Sequence, residues 1–518
     1  MVEQKTVIKK TLTQGEALEY ALSCMRHHKW DDAAKLLTIM PEDESDILLA
    51  KARLAYGQKD NQTAFDIAAD LLKDHPANDF AIAFLCMLWA SSGDIGKTKP
   101  HLIRLQGVDN DDPGFWSDLC MVFYRGRNYI SALKACNKAL FLVQNWLDLW
   151  VMKGRIERDM GRPDQAVQSF LRALSLSPNN AQIYLYLHVC FYELSDYDKA
   201  IHFLKIAKSC GLTIPSVDLG EAHCLLKQGN LAKGFRKYRA RYTENKISAT
   251  KPEANIPFWK GQNLSGKKLL VFCEQGYGDV IQFSRFLIDI QNKGAEITFV
   301  CRKALVELMQ HSYPNITICS KITDTSGFDF QSYLIDLAIY LDLSSHNIPH
   351  RRGYIPVPHH SPYHFPHDGK PKIGLVWEGS NQHLRDHIRS LNTSDLTSLL
   401  EEKKFDWISL QLAPKTPLPE QDNIFDYTGG LACFADTAKL IDQLDLIITI
   451  DTAVAHLAAA MGKPVWIMLD KSADWRWMDE RTDSYWYDTV RLFRQHKFGE
   501  WRAVIRQIEK ALKQHFPA

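Results

Sequence analysis

A period of 34 residues runs through the first half of the chain and restricts its fold more than any other feature. Ala132, Ala166 and Ala200 stand 34 residues apart, as do Ala139, Ala173 and Ala207, and Trp116, Trp150 and Tyr184 keep the same step. A fixed period of this length marks stacked supersecondary units, each burying its apolar face against its neighbours. The best-formed unit runs from Leu147 to Asn180, with large Trp150, small Gly154, a turn at Gly161, small Ala166, large Phe170, small Ala173 and a stop at Pro178. Small residues at those places let two helices of a hairpin approach, and large ones fill the adjoining holes. The phase reaches back to units beginning near Asp79 and Ser45, the latter with Ala52, Ala64 and Pro76. It reaches forward to a decayed unit from Pro215, where Gly234 and Tyr238 replace Ala and Phe. A unit around Trp30 to Met40 is shifted by about three residues. Six to seven helical hairpins are expected, forming an α-solenoid over residues 11–244.

The unit from Leu147 to Asn180 resembles the tetratricopeptide repeat, with Trp150, Gly154, Ala166, Phe170, Ala173 and Pro178 at its signature positions. Stacks of such repeats present a concave surface, usually to peptides or proteins; the alternative is a packing scaffold or dimerisation arm. Ser91 to Thr98, SSGDIGKT, is similar to a phosphate-binding loop but has Ser in place of the first Gly. It also lies between repeat helices with no strand before it, so the context for cradling phosphate is missing.

Composition removes several function classes. Of 518 residues, 46% are hydrophobic and 24% charged, which excludes wholesale disorder. Lys and Arg number 62 against 61 Asp and Glu, so the surplus of cations that bulk nucleic-acid binding needs is absent. The 11 cysteines form no CxxC pair and no zinc-like spacing with histidine, which reads as reduced thiols. The segment MVEQKTVIKKTLTQ has no apolar core of a signal peptide, and no apolar run approaches the ~20 residues needed to span a bilayer. A cytoplasmic protein is expected.

After Tyr242 a polar linker, 245–266, leads to a different pattern. Lys268 to Cys273 is a short apolar run entering the loop EQGYGD and an amphipathic helix, and ITFVC and ITICS follow with helices between. A second alternation begins at Lys372 with KIGLVWEG, then DWISLQ, LDLIITI and PVWIML. Strands alternating with helices imply βαβ units and parallel sheets. Between the two sets, His346 to Lys370 is a Pro/His-rich bridge holding six of the 19 histidines. It has no helical i, i+4 pair, which favours a solvated connector over a metal site. Two Rossmann-like lobes are expected, 267–358 and 372–518 with a closing helix, joined by a connection at 359–371. Together they suggest an α/β GT-B fold, whose ligands sit in the cleft beyond the carboxyl ends of the strands.

The loops after KLLVFC, GLVWEG, ISLQ and IITI therefore hold the candidate residues. In the first, Gln275, Gly276 and Gly278 form a loop where backbone can approach a ligand or acceptor, although Ile281 stands where a dinucleotide fingerprint needs its third Gly. Asp279 opens the next helix, either as a helix-terminal carboxylate or as a general base at the cleft. The strand LDLIITI runs into Asp451, Thr452, Ala453 and His456. A helix starting near Thr452 offers free N–H groups and a positive dipole end to a diphosphate, with His456 one turn on. Ser380, Asn381, His383, Arg385, Asp386, His387 and Arg389 make a polar, basic stretch in which Arg385 or Arg389 offers phosphate a planar donor fork. Trp475, Arg476, Trp477, Trp486 and Tyr487 form an aromatic cluster that either stacks on a ligand or anchors the C-terminal segment.

From about Leu264 onward this half resembles bacterial family 9 glycosyltransferases, which include heptosyltransferases, through GYGDVIQFSR, GLVWEGSNQHLRDHIRSL and DTAVAHLAAAMGKPVW. The resemblance implies Asp279 as catalytic base and Arg389, Asp451, Thr452, Ala453 and His456 as donor-binding residues; Ala453 stands where heptosyltransferases commonly have Gly. Over its whole length the chain resembles bacterial proteins that fuse tetratricopeptide repeats to this domain. That implies an inverting, metal-independent transfer from a nucleotide sugar to a hydroxyl, with no cofactor, on a flagellin-like or other protein recruited by the repeats. Two other readings stand beside it: a non-catalytic repeat scaffold with a degenerate sugar-nucleotide domain, and a transferase building a cell-surface glycan. If the halves are separable, removing residues 1–244 leaves a soluble nucleotide-binding fragment.

Overall fold

In the computed structural model the described residues are 12–41, 44–242, 255–358, 363, 365, 369–379 and 386–517. The chain divides into two compact units, one ending at Cys190 and one running from Phe191 to Ala518. The sequence places its first boundary near 244, where the repeat decays; by packing, the last repeat helices go with the second unit.

Helices fill the first half: α1 (Gln14–Arg26), α2 (Trp30–Thr38), α3 (Ser45–Gly57), α4 (Asn61–Asp74), α5 (Asp79–Ser92), α6 (Ile95–Gln106) and α7 (Pro113–Arg125). They continue with α8 (Tyr129–Leu142), α9 (Leu147–Asp159), α10 (Pro163–Leu176), α11 (Ala181–Glu193), α12 (Tyr197–Ser209), α13 (Pro215–Lys227) and α14 (Leu231–Tyr238). Seven turns join them pairwise among the described residues. A left-handed residue recurs in those turns at Lys59, Gly93, Arg127, Gly161, Ser195 and Gly229, in strict 34-residue step. The first turn has its left-handed residue at His28, three positions later than that step would place it. Caps repeat too: Asp60, Asn128 and Asp196 each accept an N–H from the residue three positions on. The signature alanines 132, 139, 166, 173, 200 and 207 are wholly buried. At Gly154 a Cβ would stand 2.6 Å from the Phe170 ring, so the large residue occupies the space the small one leaves. Thr98 of the phosphate-loop lookalike fills one of the small-residue positions, buried in α6 with its hydroxyl donating to the Ile95 carbonyl.

The second unit adds two parallel sheets. Strands β1 (Lys268–Phe272), β2 (Glu296–Val300), β3 (Thr317–Cys319) and β4 (Phe330–Tyr333) lie in the order β3-β2-β1-β4. Strands β5 (Lys372–Val376), β6 (Asp406–Ser409), β7 (Ile424–Asp426), β8 (Leu446–Ile450), β9 (Val465–Leu469) and β10 (Val490–Arg494) lie in the order β10-β9-β8-β5-β6-β7. Every pairing is parallel, as two Rossmann-like lobes require. The chain order reverses at β1 in one sheet and at β5 in the other, which are the positions where such sheets hold ligands. Strands β4, β7 and β10 escape the sequence reading. Phe330–Tyr333 has no continuous apolar run, β7 is three residues long, and β10 alternates at a sheet edge with Arg491 outward. Residues 245–254 of the expected linker, most of the 359–371 connection, and Ser380, Asn381, His383 and Arg385 lie outside the described residues.

Candidate functional site

The loops leaving β1, β5 and β8 build the site. After β1, Glu274 is buried and locked by Arg241, whose Nε and Nη2 donate to its two oxygens at 2.8 and 2.6 Å. Arg241 also reaches Asp336 at 2.9 Å. Gln275 takes a left-handed backbone, φ 59°, held by Tyr238 through its side chain and by Arg302 at its carbonyl. The chain then enters α15 (Tyr277–Ser284) with Gly276 as its N-cap residue.

Asp279 is the third residue of that helix, and both its oxygens are engaged. Oδ2 accepts the Gly276 N–H at 2.9 Å, and Oδ1 accepts Nη2 of Arg476. Arg476 is buried, and Asp474 and Gln282 take its other donors. Burial works against its charge, but Asp474 and Asp279 together hold the guanidinium charged.

The loop after β8 begins α16 (Ala453–Ala460), with Thr452 as N-cap. The Thr452 hydroxyl pairs with that of Thr449 at 3.1 Å and makes no side-chain cap, which leaves the first-turn N–H groups directed past the end of β8. His456 is buried between Asp451 and Tyr487: Nδ1 lies 2.9 Å from the Tyr487 hydroxyl and Nε2 lies 3.7 Å from Asp451 Oδ1. Its ring stacks on Trp477 at 5.4 Å. Burial raises the Asp451 carboxyl, yet His456 and Arg476 outweigh that and hold it below the usual range. The two helix ends meet at Gly278, where a Cβ would fall 2.7 Å from His456 Cδ2 and 3.5 Å from Ala453 Cα. Gly278 is therefore an approach point between lobes.

After β5, Gln411 Oε1 accepts the N–H groups of Trp377 and Glu378, and Lys415 N donates to Glu378 at 2.9 Å. A short helix, Asp386–Arg389, is fixed by Asp386, which accepts from Lys415 Nζ at 2.7 Å and from the Ser390 hydroxyl at 2.8 Å. Arg389 Nη1 thereby reaches the Asp451 carbonyl at 3.2 Å, one residue before the α16 N-cap. Asp279, Gly276, Gly278, Asp451, Thr452, Ala453, His456 and Arg389 thus gather where the two lobes face each other. Gln275 faces the other way, onto Tyr238.

Arg476 is the residue that sequence reasoning left without a role. It stands in a Trp-rich segment that reads as core, and only tertiary pairing across 197 positions brings it to Asp279. Trp475, Trp477, Trp486 and Tyr487 are buried, which makes them an anchor and not a stacking platform.

A groove of 1470 Å³ lies within the first unit. Trp30, Tyr56, Trp89 and Trp146 line it together with Arg53 and Asp118, which pair at 2.8 Å.

Among the described residues no helix is long and apolar enough to cross a membrane. Residues 154–195 match the model of the TPR repeat. Residues 430–469 match glycosyltransferase family 9 (heptosyltransferase), a stretch that holds Asp451, Thr452, Ala453 and His456. Protein FlbA of Caulobacter vibrioides is 23% identical over 408 residues, 70% of this chain and 67% of FlbA. The BBSome complex member BBS4 of Xenopus tropicalis is 28% identical over 157 residues, 30% of either chain, so this chain spans under a third of that relative. A chain of the APC/C hetero-tetramer Cut9–Hcn1 is similar over 43% of this chain and 45% of that one, at 16% identity and a TM-score of 0.36. The protein thus joins a stack of tetratricopeptide-like repeats to a domain similar, over 430–469, to glycosyltransferase family 9.

Proposed function

We propose that this chain is an inverting, metal-independent glycosyltransferase, acting in the cytoplasm on a hydroxyl of a protein that the repeats recruit. The observation that carries the reading is the approach at Gly278 of the helix that bears Asp279 to the N-terminus of α16, beside which Arg389 reaches the Asp451 carbonyl. The diphosphate of a nucleotide sugar lies at the first turn of α16, where N–H groups and the helix dipole take up the charge of the departing phosphate. Arg389, anchored through Asp386, adds a charge-assisted donor. Asp279 accepts the proton of the acceptor hydroxyl while that oxygen attacks the anomeric carbon and the nucleotide leaves from the opposite face. Each carboxylate oxygen has two lone pairs, so Asp279 can take up that proton while it still accepts from Gly276 and Arg476. The aromatic groove of the first unit supplies the protein-binding surface.

The pairing of Asp279 with Arg476 also favours a second reading, a domain that binds nucleotide sugar without transferring it. A thermal-shift screen of nucleoside diphosphates and their sugars separates these from a protein with no such ligand. A binder at 100 times its dissociation constant adds about 2.7 kcal/mol to the domain that binds it. Arg389→Ala should then weaken the binder by roughly tenfold or more, the loss of one charged hydrogen bond. Unchanged calorimetric affinity in that variant would move the diphosphate elsewhere. Transfer of sugar to a protein acceptor by the wild-type chain distinguishes the enzyme from the scaffold.

A further inference from the structure

A six-residue strap, Asp474 to Asp479, follows β9 and touches the candidate site and the last repeat helices in turn. Its middle is a single 3-10 turn, Trp475–Trp477, and Met478 leaves it with φ 53°, a left-handed conformation that a side chain of this size adopts only when its surroundings hold it there. Toward the site, Arg476 pairs with Asp279 and Trp477 stacks on His456. Toward the repeat helices, Trp475 packs edge-on against Phe235 at 5.7 Å. At the far end Lys227 Nζ donates to Asp479 Oδ1 at 2.5 Å and to the Met478 carbonyl at 3.3 Å, and Tyr197 donates to the same carboxylate.

Lys227 is 5% exposed. A buried ion pair contributes little net stability compared with an apolar pair of the same volume. What it does supply is a defined register, because any slip of the strap leaves an unpaired buried charge. Arg476 needs that register. Its guanidinium is fixed by Asp474, Gln282 and the Trp475 ring, and all three move with the strap or with α15.

We propose that Arg476 is a positioning residue for Asp279, and that Lys227 of the last repeat hairpin, acting through Asp479, sets where Arg476 lies. The proposal builds on the transferase reading but extends it: the repeat helices α12 to α14 belong to the apparatus that orients the base, in addition to any acceptor they help recruit. A change at the Lys227–Asp479 pair reaches Asp279 without touching donor or acceptor.

The test uses the full-length chain. The double variant Lys227→Met, Asp479→Asn removes both charges of the pair, and Asp470 remains as counter-charge to the nearby Arg494. Tyr197→Phe, which deletes one hydrogen bond to Asp479, serves if the double variant melts early. Arg476→Met and Arg476→Lys complete the set. Amide exchange at Gly276, whose N–H is held by Asp279, needs no substrate. It should rise about 10–100-fold in Arg476→Met and in the double variant, the equivalent of one charged hydrogen bond. It should return part of the way in Arg476→Lys. With an active nucleotide sugar, kcat should fall by a similar factor in the double variant, while KM for the donor and the affinity for uridine diphosphate stay within about twofold. Wild-type exchange at Gly276 in the double variant or in Tyr197→Phe overturns the proposal, as does an unchanged kcat. A wild-type chain that transfers no sugar refutes the transferase reading alone, since the exchange measurement still decides whether the strap holds Asp279.

Discussion

The two units of this chain use the same side-chain types under opposite rules. In the first unit the caps, turns and small–large pairs are filled from within one 34-residue repeat, and the Arg53–Asp118 pair, across 65 positions, bridges between repeats. Asp60 caps its own helix, Lys59 supplies its own turn, and Gly154 leaves space for Phe170 in the partner helix of the same hairpin. In the second unit the roles are filled from far away: Arg476 pairs with Asp279 across 197 positions, and Tyr197 with Asp479 across 282. A local rule tolerates the loss of a repeat, because each unit contacts only its neighbours. A long-range rule does not, and the boundary between the two rules lies before α12 and not at the end of the repeats.

The largest effect expected follows from that boundary. Deleting residues 1–244 removes Lys227, Phe235, Tyr238 and Arg241, which leaves Glu274 and Asp336 buried with their shared cation gone. Removing one partner of a buried pair costs about 3–5 kcal/mol, enough to erase much of a domain's stability. The fragment 245–518 is therefore expected to be insoluble or molten, against the separability that the repeat pattern suggests. Deletion of residues 1–180, which keeps α11 to α14, should give a soluble fragment with a cooperative melt. Far-UV and near-UV circular dichroism of the two fragments measure this, and a cooperative melt from 245–518 would erase the distinction between the units.

Next comes Asp279→Asn. The amide keeps the shape of the carboxylate and can still accept the Gly276 N–H, and Asp474 still pairs with Arg476, so nucleotide affinity should stay close to wild type while the melting temperature falls with the charge lost beside the buried Arg476. Loss of a general base costs typically 10²–10⁴-fold in rate. Steady-state transfer to the native acceptor reads it, and a near wild-type rate would reduce Asp279 to a helix-terminal carboxylate.

Legibility in the sequence follows the same division. The seven hairpins could be read because caps, left-handed turns and small-large pairs recur in step, and even the offset first turn showed as a shift in phase. The two lobes could be read where strands are apolar runs, as in Leu446–Ile450, and not where an edge strand alternates, as in Val490–Arg494. For the site, strand-end loops pointed to Asp279, Thr452 and Arg389, since chain direction alone sends those loops to one rim of the sheets. Arg476 could not be read. Its partner lies in another lobe, and nothing local separates an arginine that pairs with a carboxylate from one that snorkels out of an aromatic cluster.

A matched pair of glycine substitutions sharpens the division at smaller scale. Gly154→Ala puts a methyl 2.6 Å from the Phe170 ring inside one hairpin. It should cost about 1–3 kcal/mol of stability in the first unit, with nucleotide affinity untouched. Gly278→Ala puts a methyl 2.7 Å from His456 at the meeting of two lobes. It should displace His456 from Asp451 and lower nucleotide affinity as well as stability. Calorimetric unfolding and nucleotide titration on both variants separate these; a nucleotide defect in Gly154→Ala would show the units to be coupled.

The smallest effect is in the response to acid, and here two aspartates in paired sites behave oppositely. Burial pushes the Asp118 carboxyl up to about 6, against the pull of Arg53, while the same pair keeps Arg53 charged. Burial also acts on Asp386, but Lys415, Ser390 and Arg389 outweigh it and hold that carboxyl below its ordinary value. A carboxyl raised in the folded state binds its proton more tightly there than in the unfolded chain, whose value is about 3.9. The contribution of Asp118 is thus full below about pH 4 and lost as pH rises through about 6. A depressed carboxyl has the reverse sign: the contribution of Asp386 is present above about pH 4 and lost as pH falls through its folded value. Each is isolated by its difference from an Asn variant. From about pH 7 to 5 the wild-type first unit should gain melting temperature relative to Asp118→Asn, by roughly 2–4 °C for each kcal/mol of linkage. The wild-type second unit should hold level with Asp386→Asn over that range and lose ground only below about pH 4. Calorimetry at about pH 7, 5 and 3.5 gives both differences, and a first unit that holds level with Asp118→Asn between about pH 7 and 5 would mean that Arg53, not burial, governs that carboxyl.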